Sequence, residues 1–166
     1  MTLVKEKIMR ILIILIGLAV MGADQLLKNW ITNNVSYGSA DQLLPGVISL
    51  TKIHNSGAAW SMLEGKTWFF YLVGAVALVI LIPLLVQAYR KKMSLVYFSG
   101  LILIIVGAIG NLIDRVINGY VVDMFQLDFI NFPIFNVADL SLTVGVILLF
   151  IYVIFLDREE EVTKSK

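Results

Sequence analysis

The sequence predicts an all-α integral membrane protein with four transmembrane helices, and three observations carry that prediction. Hydrophobic residues make up 59% of the 166 positions and charged residues 15%, at a mean hydropathy of +0.89, far from the composition of a soluble domain. Four apolar stretches, Ile8 to Leu27, Trp68 to Ala88, Leu95 to Ile113 and Leu140 to Leu156, approach or reach the roughly 20 residues a helix needs to cross about 30 Å of hydrocarbon. The basic residues then sort by side. Lys5, Lys7, Arg10, Arg90, Lys91, Lys92, Arg158, Lys164 and Lys166 share one side, against Lys28, Lys52, Lys66 and Arg115 on the other. By the positive-inside rule both termini are cytoplasmic, and the loops from about Asn29 to Thr67 and from Asp114 to Asp139 face outward.

Each element can be read in order. The first helix follows basic residues as a signal peptide would, but no small-x-small cleavage pattern closes its apolar run early, so it reads as a retained helix. Near its outer end Asp24 and Lys28 stand at i, i+4, a spacing that also suits a plain interfacial ion pair. The first outer loop is nearly forty residues long, too much for a connector. Within it Pro45 and Gly46 signal a turn and Val47 to His54 is rich in β-branched residues, so strands are expected. "HNSGAAW" follows as a tight turn on Asn55 and Gly57, a pattern shared with ordinary hairpin turns.

In the second helix Pro83 predicts a tolerated kink. In the third, Gly107, Asn111 and Asp114 fall at i, i+4 and i+7, and Arg115 lies four after Asn111, so one stripe carries the polar groups. Gly100, Gly107, Ala108 and Gly110 predict close helix packing. The second outer loop, "NGYVVDMFQLDFINFPIFN", is too hydrophobic for a solvated tether and is expected at the lipid surface, with Tyr120, Phe129, Phe132 and Phe135 in an interfacial aromatic belt and Trp30, Trp60 and Trp68 as anchors. In the fourth helix Asn136, Asp139 and Thr143 align at i, i+3 and i+7, and Asp139 suits a helix N-cap. Residues 1–156 are expected to form a single membrane-embedded domain, and 157–166 a disordered cytoplasmic tail.

Composition narrows the chemistry. The chain has no cysteine and one histidine, which removes thiol nucleophiles, thiolate metal sites and multi-histidine zinc sites. The net charge of +1 gives no reason to expect nucleic acid. Asp24, Asp114, Asp123, Asp128 and Asp139 all fall in the outer half or its interface. Asp123 and Asp139 are sixteen residues apart, so neighbouring antiparallel helices could bring both to one place. Two adjacent carboxyls share a proton, and such a pair can activate water and polarise a carbonyl together. The spacing permits a dyad without establishing it. Two other classes compete. A proton-coupled transporter would place its acids at the midplane, and a metal-dependent lipid head-group transferase would cluster carboxylates around Mg²⁺ and lose activity to a chelator.

The motifs "DQLLK", "HNSGAAW", "GNLIDR", "VVDMF" and "FNVADLSL", in this order between the four apolar segments, closely resemble those of the lipoprotein signal peptidases, or signal peptidase II, over about Asp24 to Thr143. The resemblance implies an aspartyl endopeptidase of the bacterial plasma membrane that cleaves prolipoproteins before the diacylglyceryl-modified lipobox cysteine. It implies no cofactor, no metal, and only substrate and membrane lipid as partners. Asp123 and Asp139 match the family's catalytic pair. Asp24, Lys28, Asn55, Gly57, Asn111, Asp114, Arg115 and Asn136 match its other motif positions and would support the dyad or align substrate. Trp60 stands where the family more often has Phe, a difference at the edge of the substrate groove. The family's fold adds a small extracytoplasmic β-sheet cradle and a short interfacial helix, and its active site faces the extracytoplasmic side.

Overall fold

A computed structural model describes residues 3–57 and 65–156. The elements run α1 (Leu3–Asn34), β1 (Ala40–Leu44), β2 (Ile48–Asn55), α2 (Thr67–Arg90), α3 (Leu95–Asn118), β3 (Val121–Leu127) and α4 (Val137–Ile151), which continues as a π-helical turn over Tyr152–Leu156. All four apolar stretches are helical and long enough to span a bilayer. At 32 residues and a rise of 1.5 Å each, α1 is about 48 Å long. It therefore outruns the hydrocarbon, and its polar last turns carry the outer part of the fold.

Central to the bundle is α3, which packs against α1, α2 and α4 and buries ten residues. By contrast α2 buries only Ala88, so its apolar surface is left to face lipid, and it runs on through Pro83 as one helix. Where α3 meets α4 the contact is made by glycine. A Cβ on Gly107 would stand 2.5 Å from the Ala138 carbonyl oxygen, and one on Gly145 would stand 2.8 Å from that of Gly100. Missing side chains allow the two backbones to approach, as in other membrane helix pairs.

The three strands form one antiparallel sheet in the order β1-β2-β3. Ile31 and Val35 at the outer end of α1 pack on Val122 and Met124 of β3, which seats the sheet on the helix. Strand β2 covers the β-branched run, and β1 precedes the Pro45-Gly46 turn. Strand β3 departs from the expectation of a loop lying at the lipid surface. Its Val121 to Met124 are buried on both faces, so its hydrophobicity reflects a covered strand and not contact with lipid.

Three smaller expectations change. Tyr120 is not simply part of a belt, since its ring stacks on His54 with centroids 3.9 Å apart, and Phe135 pairs its backbone with Phe125, while Phe129 and Phe132 stay exposed. Asn136, not Asp139, is the N-cap of α4. No short interfacial helix occurs among the described residues. Trp60, the other residues of 58–64, and the tail 157–166 lie outside them.

Candidate active site

Strand periodicity places Asp123. Val121, Asp123 and Leu127 line one cavity, while the alternate residues Val122 and Met124 turn to α1. Between Leu50 and Ile53 the β2–β3 register shifts, so that Thr51 and Lys52 oppose Met124 alone. Beyond this bulge Ile53 faces Asp123 and Asn55 faces Val121, which makes Asn55 and Asp123 a diagonal cross-strand pair. Asn55 Nδ2 accordingly donates to Asp123 Oδ2 at 2.8 Å.

Helix capping places Asp139. Its backbone N–H donates to Asn136 Oδ1 at 2.9 Å, and the Asn136 N–H donates to Asp139 Oδ2 at 3.2 Å, a reciprocal capping box. The backbone of Phe135 is tied to Phe125 by N–H···O bonds of 2.8 and 3.1 Å. That pairing delivers Asn136 to the strand, where its Nδ2 donates to Asp123 Oδ1 at 2.7 Å. From α3, Asn111 Nδ2 donates to Asp139 Oδ1 at 2.7 Å.

The orientation of each amide follows from its other partner. Gly57 N–H donates to Asn55 Oδ1, Asp139 N–H to Asn136 Oδ1, and Lys28 Nζ to Asn111 Oδ1. An N–H or ammonium can only donate, so each amide oxygen must face it and each NH₂ must face an aspartate. Three asparagines are thus committed to donating into Asp123 and Asp139.

Lys28 is itself held. Its ammonium lies 2.9 Å from Asp24 Oδ2 and 3.0 Å from Asp114 Oδ2, with all three side chains buried. Both acids also bind backbone. Asp24 Oδ1 accepts from Ala138 N–H at the start of α4, and Asp114 Oδ2 accepts from Val122 N–H of β3. The expected interfacial ion pair is therefore a buried junction joining α1, α3, α4 and the sheet. Gln25 completes it by donating to Asp24, Asp114 and the Gly110 carbonyl.

Asp123 and Asp139 open into one cavity of about 340 Å³, with Asn55, Asn111 and Arg115 at its polar end and Phe132, Pro133 and Ile134 on an apolar wall. Arg115 reaches it from α3, donating to the carbonyls of Gly57 and Asn111 with its guanidinium over the Phe70 ring. Its Nε has no partner among the described residues. Burial, and then the Asp139 carboxylate, push the Asp123 pKa up to about 7 against the lowering effect of hydrogen bonds from Asn55 and Asn136. The cause is direct, because an ion loses its hydration there beside a like charge.

Every site residue named from the sequence falls in this network. Residues that sequence reasoning did not name are Gln25, whose signal was its place beside Asp24, and Phe70 and Tyr71, whose ring and hydroxyl bear on Arg115. The last two sit in an apolar helix, where no polar spacing marks them.

Comparison with known proteins agrees with this architecture. A family model described as signal peptidase (SPase) II matches residues 16–155. The chain is 49% identical to the lipoprotein signal peptidase of Latilactobacillus sakei over 89% of its own length and 97% of that protein. It is 48% identical to the one from Lactococcus lactis subsp. lactis over 93% and 98%. A solved bacterial membrane enzyme superposes with a TM-score of 0.77 at 37% identity, covering 85% of this chain and 86% of that one. A second gives 0.74 at 38%, covering 87% and 93%. With most of its length matched in sequence and in fold, the chain belongs to the signal peptidase II family of proteases.

Proposed function

We propose that the chain removes signal peptides from prolipoproteins, with Asp123 and Asp139 as a catalytic dyad that cleaves the peptide bond before a diacylglyceryl-modified cysteine. The observation that carries this reading is the pair of carboxyls opening into one cavity, each fixed by amide donors that cannot turn away. Asp123 is the more buried of the two and burial pushes its pKa up to about 7, so in this reading it is the proton donor and Asp139 the base.

Asp139 takes a proton from water as the water oxygen bonds to the scissile carbonyl carbon, and Asp123 gives its proton to the carbonyl oxygen. A neutral gem-diol results. As that diol collapses, one hydroxyl returns its proton to Asp123 and re-forms a carbonyl, the C–N bond breaks, and the proton held by Asp139 passes to the departing amine. Arg115, whose Nε–H has no partner among the described residues, and the Asn55 and Gly57 turn align the substrate backbone. The apolar wall at Phe132 to Ile134 suits acyl chains and an apolar signal helix that reach the site sideways from lipid.

The residues 1–156 act as one membrane-embedded unit in a bacterial plasma membrane, followed by a cytoplasmic tail. Both termini lie in the cytoplasm and the cavity lies toward the extracytoplasmic face, a reading supported by the basic residues at the opposite end.

The test is cleavage of a synthetic diacylglyceryl-cysteine lipobox peptide by the purified protein in detergent with EDTA present. Wild type should cut before the modified cysteine, and folded Asp123→Asn and Asp139→Asn should each lose at least about 10³-fold in rate. Normal cutting by either folded variant would remove the dyad. Failure of wild type to cut a substrate that a known family member cuts would remove the substrate assignment.

A further inference from the structure

At the end of the bundle remote from the sheet, Leu3, Glu6, Lys7, Arg10, Tyr89 and Lys92 line a second cavity, of about 250 Å³. Arg10 is the buried member of this lining, and each of its three guanidinium nitrogens donates. It donates to Glu6 at 3.1 and 3.3 Å, to the carbonyl of Ala88 at 3.4 Å and to that of Met93, and its guanidinium lies over the Phe98 ring. The Glu6 carboxylate therefore offsets Arg10 and nothing more. Lys7 and Lys92 are both exposed, and among the described residues neither has an ion-pair partner, so each presents a positive charge to the cavity.

Lys92 occupies a costly backbone conformation. Its φ of +53° is the only positive value at a non-glycine among the described residues, in a region where a Cβ is disfavoured and a helix C-terminus ordinarily takes Gly or Asn. Hydrogen bonds from Lys92 N–H to Tyr89 and from Met93 N–H to Ala88 hold the turn in this form. A lysine standing where glycine would be less strained directs attention to its side chain.

We propose that this cavity binds the phosphate group of an anionic phospholipid, held between the ammonium groups of Lys7 and Lys92. The surroundings favour a lipid over a soluble phosphate. Leu3 forms part of the wall, Val4, Ile8 and Ile11 on the adjoining turns of α1 are exposed, and half-exposed Tyr89 suits the headgroup layer. Basic pockets between helix ends at the membrane surface select anionic headgroups by the same physics. The inference does not depend on the peptidase chemistry, because the site lies at the other end of the helices.

The test is retention of lipid by the full chain in dodecyl maltoside, read by native mass spectrometry after titration with dioleoyl phosphatidylglycerol or dioleoyl phosphatidylcholine. Wild type should prefer the anionic lipid by about tenfold or more. The pair Lys7→Gln with Lys92→Gln should abolish that preference. Lys5→Gln with Lys91→Gln removes equal charge outside the cavity and should keep it. Lys92→Gly should weaken the preference without lowering the melting temperature, an outcome a merely structural lysine would not give. Equal retention of both lipids by wild type, or equal effects of the two double variants, would overturn the site. Displacement of phosphatidylglycerol by millimolar inorganic phosphate would assign it to a soluble phosphate compound instead.

Discussion

Asn136 does two jobs with one amide. Its oxygen caps α4 by accepting from Asp139 N–H, and its NH₂ donates to Asp123 and Asn111. The substitution Asn136→Asp separates them, since a carboxylate still caps a helix but cannot donate. We expect this variant to keep the cap, worth about 1 kcal/mol, and to lose cleavage by about 10²-fold or more because a third carboxylate faces the dyad. Asn136→Ala should lose both. Unfolding in detergent and peptide cleavage, measured on the two variants, check this, and equal stability losses would show that the cap is not what Asn136 supplies. Its spacing of three before Asp139 was visible in the sequence. Its bond to Asp123 was not, because that depends on Phe135 pairing with β3.

Among the elements, the α3–α4 contact sets the site's dimensions. Gly107 lies one turn before Asn111 on α3 and touches Ala138 at the first turn of α4, next to Asp139. In Gly107→Ala the new Cβ meets a carbonyl oxygen and the Leu142 side chain, and backbone cannot yield as a flexible side chain can. The expected cost is about 1–3 kcal/mol of stability, with a fall in cleavage rate as Asp139 shifts from Asn111. Gly22→Ala, inside α1 with nothing within 4 Å of the added Cβ, is the control: it should leave cleavage unchanged and should not lower stability. Thermal unfolding and cleavage assays on both variants decide. The small residues of α3 announced close packing from sequence. Strand β3 did not announce itself, since "VVDM" is covered on both faces and offers no alternation of polar and apolar residues to read.

At the scale of the whole molecule, two cations, Lys28 and Arg115, stand against four carboxyls, Asp24, Asp114, Asp123 and Asp139. This excess of negative charge favours a retained proton. Asp123, raised from 3.8 to about 7 in the folded protein, titrates there as an acid whose protonated form the fold prefers. Its contribution to stability is complete below about pH 4, falls as pH rises, and is gone above about 7. Unfolding measured across that range should show the decline, and Asp123→Asn should flatten it. Cleavage should fall over the upper part of the range, as the proton donor is lost. An unchanged pH dependence in Asp123→Asn would show that another group titrates. The proposed orientation has its own check, since the chain lacks cysteine: in intact cells Ser39→Cys should react with an impermeant thiol reagent and Lys91→Cys should not.

Sequence by itself determined the solvent of this protein and the inventory of its chemistry. Hydropathy and length require four helices in a bilayer, charge asymmetry supplies the proposed orientation, and ordered motifs with no cysteine point to aspartates as the proposed reactive groups. These properties are local, because each depends on a residue's own polarity or on neighbours within a turn or two. Tertiary structure alone decided that β3 joins the sheet, that a bulge in β2 brings Asn55 diagonally to Asp123, and that Lys28 sits in a buried junction and not at an interface. Each of those requires a hydrogen bond or ion pair between residues 13 to 114 positions apart. Such pairs gain their strength from burial, and which groups are buried together is a property of the packed fold and not of any one segment.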